Sequence, residues 1–212
     1  MRLIKYTHSC VRLEDDDRAL VIDPGMFSET ESLAGADAIL ITHEHPDHVN
    51  EVAIRAAMQA DSQLRLWAPP GVAEQFADLG ERVIGVGPGT RFDAGGFRVE
   101  TFGGQHALIH PLIPMIANVG YLVNDAVYHP GDSFIVPAAN VQTLLLPTHA
   151  PWLKISEVID FAISVAAPQA VQIHDGMIKE SGRQIVEGHV ARLSAPFGTD
   201  FRHLDPLESV TV

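Results

Sequence analysis

Along the first quarter of the chain, apolar residues alternate with polar ones or run in blocks of about five, closed by Asp, Pro or Gly, the pattern of short strands between turns. "RLIKY", "CVRLE" and "ALVID" read as three strands, with an acidic turn "DDDR" between the second and third and Pro24-Gly25 after the last. "ADAILIT" is an almost unbroken apolar run, which predicts a strand covered on both faces. "HVNEVAIRAAMQA" then switches to helical spacing, "LRLWA" returns to strand, and "PPGVAEQFADLG" predicts a helix opened by proline and closed by glycine. A glycine-rich β region, "FDAGGFRVETFGGQHA", leads to "NVGYLVNDAVYHPGD", two strands joined at Asn124-Asp125. The last third alternates strand "TLLLP", helix "KISEVIDFAISVAA", strand "AVQIH" and helix "GRQIVEGHVARL". Strands first, then hairpins, then βαβα predicts sheet layers with helices outside, an α+β or α/β sandwich. Neither an internal repeat nor a linker-like stretch divides the chain, so residues 1–212 read as one domain.

Composition narrows the function classes. With 46% hydrophobic and 19% charged residues and a mean hydropathy of +0.11, the chain has the makeup of a folded globule. Its 27 acids against 14 bases give a net charge of −13, a field that repels nucleic acid and anionic membrane. The expected partner is a small-molecule substrate. The single cysteine, Cys10, excludes an intrachain disulfide, fits a reducing compartment and reads as a small core residue. "MRLIKYTHSC" lacks the apolar core of a signal peptide, and no apolar run reaches about 18 residues. A cytoplasmic protein is expected.

The candidate chemistry lies in "ITHEHPDHV", directly after the apolar run. His43, His45, Asp47 and His48 form H-x-H-x-D-H. In extended backbone, side chains two apart project to one side, so His43 and His45 can grip one ion. Asp47 and His48, at the following turn and helix start, can face a second. Imidazole with carboxylate suits Zn, Fe, Mn or Ni, and the lack of thiolate argues against a structural zinc site. Further ligands must come from elsewhere. His106 after "TFGGQ", Asp132 in "YHPGDS" and His174 closing "AVQIH" each end a predicted strand, and strand ends of layered sheets converge on one edge.

These residues resemble the signature of the metallo-β-lactamase-fold hydrolases: H-x-H-x-D-H, then a single His, an Asp and a final His. The similarity spans nearly the whole chain, including "THSC" and "VIDPG", and is strongest to the small single-domain branch of L-ascorbate-6-phosphate lactonase-like proteins. The resemblance implies a four-layer αββα sandwich with the metals at one sheet edge. It implies one ion on His43, His45 and His106, a second on Asp47, His48 and His174, and Asp132 bridging them. The implied cofactor is two divalent ions, Zn2+ first, with Mn2+ or Fe as alternatives. The implied activity is cleavage of an ester, lactone, amide or phosphoester bond in a small molecule by a metal-bridging hydroxide, with Asp47 and Asp132 in the catalytic centre.

Around that centre, Asp23 at the end of "ALVID" is expected to accept a hydrogen bond from a ligand imidazole, and His8 in "YTHSC" to face the metal mouth. His149 in "LPTHAPW" is the candidate to touch substrate or protonate a leaving group, with Trp152 beside it as packing. His110 and His129 read as structural. The apolar, proline-rich "HALIHPLIPMIANVG" makes either a wall or lid over the site or a contact in a homo-oligomer. Two other readings belong to different classes. One is a mono-iron oxygenase of the persulfide dioxygenase type; the di-iron versions of the fold carry Glu where His45 stands here. The other is a non-catalytic metal-binding protein, which would normally have lost a ligand.

Overall fold

The structure, a computed structural model, describes residues 1–212. Strict alternation sorts the strand residues onto two faces. On β1 (Arg2–Lys5), Leu3 points to one apolar cluster and Ile4 to another; on β3 (Arg18–Ile22), Leu20 and Ile22 part from Val21 in the same way. With β2 (Val11–Asp15), β4 (Ala38–Leu40), β5 (Arg65–Ala68), β6 (Val83–Gly85) and a closing strand β14 (Ser209–Thr211), these form one seven-stranded sheet, ordered β14-β1-β2-β3-β4-β5-β6. The second sheet runs β13-β12-β11-β10-β9-β8-β7. Its members are β7 (Arg91–Ala94), β8 (Phe97–Gly103), β9 (Val119–Val123), β10 (Val127–His129), β11 (Thr143–Pro147), β12 (Gln169–Ile173) and β13 (Asp200–Arg202).

The inner faces share one core in which Leu13, Leu20, Leu40 and Trp67 meet Phe97, Tyr121, Leu145 and Val171. Outside the first sheet, Ile54 and Met58 of α1 (Glu51–Ala60) and Val72 of α2 (Pro70–Gln75) cover Val21, Ile39 and Leu66. Outside the second, Val158, Phe161 and Ala162 of α3 (Ile155–Val165) and Val190 of α4 (Glu180–Ser194) cover Leu122, Leu144 and Leu146. The result is the four-layer αββα sandwich. No helix is long and apolar enough to cross a membrane.

Local chemistry explains where elements start and stop. Asn50 caps α1, its side chain accepting from the Ala53 amide at 3.1 Å, so the helix begins three residues after His48. The second predicted helix stops at Gln75 and gives way to 3-10 turns broken at Gly80, whose φ of 66° leaves the helical region. Asn124 and Asp125 both take positive φ, as a two-residue hairpin turn requires. The short edge strands β6, β13 and β14 have no pattern of their own to announce them.

Strand direction sets the site. β1 and β3 run alike through their antiparallel pairing with β2, β4 lies parallel to β3, and β8, β10 and β12 run alike in the other sheet. The carboxyl ends of all six strands therefore gather at one edge, where open α/β sheets place their ligands.

Candidate metal centre

His8 follows β1, Asp23 ends β3, His43 follows β4, His106 follows β8, Asp132 follows β10 and His174 follows β12. The turn after β4 adds His45, Asp47 and His48. Eight of these nine side chains, all but Asp23, fall into two groups, His43-His45-His106-Asp132 and His8-Asp47-His48-His174, whose ligand atoms lie within 4.8 Å of one another in each group. Asp132 spans both. Its Oδ1 lies 3.1 Å from His48 Nε2, and its Oδ2 lies 3.3 Å from His106 Nε2 and 3.0 Å from His174 Nε2.

The outward nitrogens fix which face each imidazole shows. Thr42 donates from both its amide (2.7 Å) and its hydroxyl (2.6 Å) to Asp23, so its hydroxyl oxygen accepts from His43 Nδ1 at 2.9 Å. His48 Nδ1 donates to Asp23 Oδ2 at 2.6 Å. His106 Nδ1 donates to the Ala107 carbonyl and His174 Nδ1 to the His149 carbonyl, both at 2.6 Å. With Nδ1 donating outward on all four rings, Nε2 is the nitrogen each turns inward, free to bind a metal once any proton on it is released. His45 presents Nδ1 instead, 3.2 Å from His43 Nε2.

His8 is different. Its Nδ1 accepts from the Gly176 amide at 3.1 Å, so its proton sits on Nε2 and is donated to Asp47 Oδ2 at 3.1 Å. His8 therefore aims Asp47 and offers no lone pair to the centre.

The donor set passes a simple test for a cation. His48 Nε2, His106 Nε2, His174 Nε2 and Asp132 Oδ1 are all buried without a hydrogen-bond partner. Four orphaned lone-pair atoms facing one another are costly unless something positive sits among them. The backbone is bent to achieve this. His8, Asp23 and His174 all take left-handed φ (67°, 51° and 60°), a conformation that non-glycine residues adopt at a cost. Gly25 permits the approach of the ligand turn: a Cβ there would lie 1.8 Å from the Asp47 carbonyl oxygen.

Comparison with known proteins gives this arrangement a family. The family model of the β-lactamase superfamily domain matches residues 2–174. The chain belongs to the metallo-β-lactamase-fold metal-dependent hydrolases. It is 38% identical to the protein Rv0786c of Mycobacterium tuberculosis over the full length of both chains. It is 30% identical to a UPF0173 metal-dependent hydrolase of Xanthobacter autotrophicus, over 64% of this chain and 63% of that one. Among solved structures it is similar to Igni18, a metallo hydrolase of the archaeon Ignicoccus hospitalis, with a TM-score of 0.75, 20% identity, and 99% and 97% of the two chains covered.

In this metal-dependent hydrolase the electrostatics of the centre follow from crowding. Burial and the neighbouring His48 hold His43 well below the ordinary imidazole range, and burial beside His106 lowers His45. Burial opposes a charged His48, but the carboxylates of Asp132 and Asp23 on its two sides outweigh that and raise it well above. Burial likewise works against ionised Asp132 and Asp47. The imidazoles of His48, His174 and His43 win at Asp132, which is held well below the carboxylate range. At Asp47 the His8 hydrogen bond with His48 and His174 lowers the value to about 2.

Three contributors escape the sequence pattern. Trp152, expected as packing, donates its indole N–H to Asp132 Oδ2 at 2.8 Å while its ring packs edge-on against His106 and Phe134. Thr42 links Asp23 to His43 as described. Lys5 is fully buried and donates to the carbonyls of Tyr6 and His8 (2.8 Å to the latter) and to Asp175 Oδ1 at 3.2 Å, so a buried ammonium holds the strained His8 turn. The one available signal was a lysine at an inward position of the apolar "RLIKY". His149 contributes its carbonyl to His174, and its ring is half-buried with its pKa lowered by burial and by His174. His129 is buried, donating to the Ser9 carbonyl at 2.9 Å, and His110 is exposed, accepting from the Leu112 amide at 3.1 Å.

Proposed function

We propose that this chain is a binuclear metal-dependent hydrolase that cleaves an ester, lactone or phosphoester bond of a small molecule. The observation carrying this reading is the inward convergence of bare imidazole nitrogens and carboxylate oxygens at the strand ends, four of them orphaned and buried. His43, His45 and His106 would hold one ion, Asp47, His48 and His174 the other, and Asp132, within about 3 Å of nitrogens from both groups, would join them. Zn2+ matches the donors best, and Mn2+ or Fe also suits them.

Divalent ions bound there would lower the pKa of water from about 15.7 towards about 7 and polarise the oxygen of the bond under attack. The chain's own residues do the rest. Asp132 and Asp47 stay ionised at neutral pH and offset part of the added positive charge. Asp23 and Thr42 lock the tautomers of His48 and His43. His8 and the buried Lys5 fix the direction of Asp47. His149, a neutral imidazole near pH 7 by virtue of its lowered pKa, can hydrogen-bond substrate.

The test is Asp132→Ala in metal-loaded protein assayed on a panel of esters, lactones and phosphodiesters. Turnover is expected to vanish while the fold persists by circular dichroism, and wild-type protein purified without chelator should carry about two divalent ions per chain. Unaltered turnover in the variant refutes the reading.

A further inference from the structure

Asn118, the residue just before β9, lies outside both ligand groups yet joins three of the strand ends that carry them. Its backbone carbonyl accepts from the Gly104 amide at 2.8 Å, two residues before His106. The next amide, that of Val119, donates to the Thr42 carbonyl at 2.9 Å, one residue before His43. The Asn118 side chain, fully buried, takes hold of the third. Its Oδ1 accepts from the Asp132 amide at 2.9 Å, and its Nδ2 donates to the Pro130 carbonyl, also at 2.9 Å. These partners fix which way the side-chain amide faces, because an N–H can only donate and a carbonyl can only accept. One planar group therefore closes the turn 130–132 from both sides.

The fit is tight. Gly131, between the two bonds, has a left-handed φ of 63°, and a Cβ there would lie 2.2 Å from Asn118 Oδ1 and 2.7 Å from Thr42 Cβ. The Ser133 hydroxyl also donates to the Pro130 carbonyl at 3.0 Å, and the Gly131 amide donates to His129 Nδ1 at 3.1 Å. The amide of Asp132 itself is held by Asn118. Aspartate at this position would lack the donor and leucine both groups, while glutamine would carry the same amide one methylene further out.

We propose that Asn118 is the positioning residue for Asp132, the carboxylate that stands between the two ligand groups. This rests on the binuclear reading above and deepens it. Asp132 oxygens lie 3.1 Å from His48 Nε2 and 3.0 Å from His174 Nε2 in one group, and 3.3 Å from His106 Nε2 in the other. A shift of the turn is therefore felt on both sides of the centre at once. Trp152 steadies one carboxylate oxygen, and Asn118 sets where the backbone beneath it stands.

Zinc affinity is measured by competition with chromophoric chelators in four full-length proteins: wild type, Asn118→Ala, Asp132→Ala and the double variant. Losing the partner that orients a ligand typically costs about 10–100-fold in metal affinity, so Asn118→Ala alone should weaken zinc binding at least about tenfold. With Asp132→Ala no carboxylate is left to aim, and adding Asn118→Ala should change affinity less than about twofold. Thermal unfolding of the four metal-free proteins supplies the contrast. Asn118 bonds to backbone groups that Asp132→Ala leaves in place, so Asn118→Ala should lower Tm by the same amount in both backgrounds. If Asn118→Ala does not fold, Asn118→Ser, which keeps one polar group at the position, takes its place with the same pattern expected. A zinc loss equal in both backgrounds, or a single variant within about threefold of wild type, overturns the inference. Coupled zinc loss without turnover of any ester, lactone or phosphodiester by the wild type would count against the hydrolase reading alone. Turnover by the wild type with uncoupled zinc loss would count against this role of Asn118 alone.

Discussion

Asp23→Asn isolates the effect of a single proton at the centre. Asp23 is buried with φ 51°, and Asn tolerates that left-handed conformation as well as Asp does, so the backbone has no reason to move. The amide oxygen must take the place of Oδ1, because the Thr42 amide donates there. The new NH2 then replaces Oδ2 and points at His48 Nδ1, which becomes an acceptor. The neutral His48 ring is thereby forced to carry its proton on Nε2, the atom that faces the centre. A ligand imidazole deprived of its outward acceptor typically loses about 10–100-fold in metal affinity, or about 1.4–2.7 kcal/mol. A second effect has the opposite sign. Losing the Asp23 charge lowers the raised pKa of His48, so at neutral pH less proton competes with the metal. Measuring on the alkaline plateau, where neither affinity changes further with pH, removes that competition from both proteins and leaves the tautomer effect alone. The assay is zinc competition against a chromophoric chelator on that plateau, with the His48 tautomer read from imidazole 15N shifts of the metal-free protein. Affinity within about threefold of wild type at that pH would refute the tautomer argument, since the smallest expected loss is about tenfold.

Trp152→Phe removes the N–H that reaches Asp132 Oδ2 but keeps an aromatic ring against Phe134. A bond to a charged acceptor is worth about 1.5–3 kcal/mol, and a double-mutant cycle with Asp132→Asn in metal-free protein should return a coupling of about 1 kcal/mol or more; additivity would show the bond to be idle. Metal loading should weaken on acidification. The metal must displace the proton that Asp132 and Asp23 stabilise on His48, so apparent affinity falls by up to about tenfold per pH unit below that raised pKa, and calorimetry in two buffers of different ionisation enthalpy should show proton release. His149→Ala removes a ring but keeps the carbonyl that orients His174, so metal content should stay at the wild-type level while kcat/KM falls; loss of metal instead would mean that the ring, not the carbonyl, supports the centre.

The layers and the gathering of the candidate ligands at one edge were legible in the sequence for the same reason. The unbroken apolar blocks of "ALVID" and "ADAILIT" reflect strands that really are buried on both faces, and each ends at the edge where β3 and β4 deliver Asp23 and His43. H-x-H-x-D-H is legible because only a few side chains bind a metal, so the chemistry constrains residue type. The outer contacts carry no such constraint. Ala107 and His149 orient imidazoles through their carbonyls, which every residue possesses. The edge strands β13 and β14 owe their existence to partners far along the chain: β14 is a strand because β1 offers it Leu3 and its neighbours. Three-residue edges have too few positions to show a period.

Lys5 and Trp152 illustrate the harder case, in which a residue type misleads. Lysine is on average an exposed residue, and the expectation of Trp152 as packing likewise follows average behaviour. What overrides them is strain at the site. Three ligand-bearing or ligand-supporting turns, at His8, Asp23 and His174, sit in left-handed backbone that costs on the order of 1–3 kcal/mol each. Such turns persist only where neighbours over-determine them: the Lys5 ammonium takes the His8 carbonyl, the Thr42 amide and hydroxyl take Asp23, and His174 is held at its amide by the His8 carbonyl and at its ring by His149. The unexpected residues are therefore the ones that brace the bent strand ends, and the same bends that hide from pattern reading help turn five imidazoles and two carboxylates inward from the ends of four strands, β4, β8, β10 and β12.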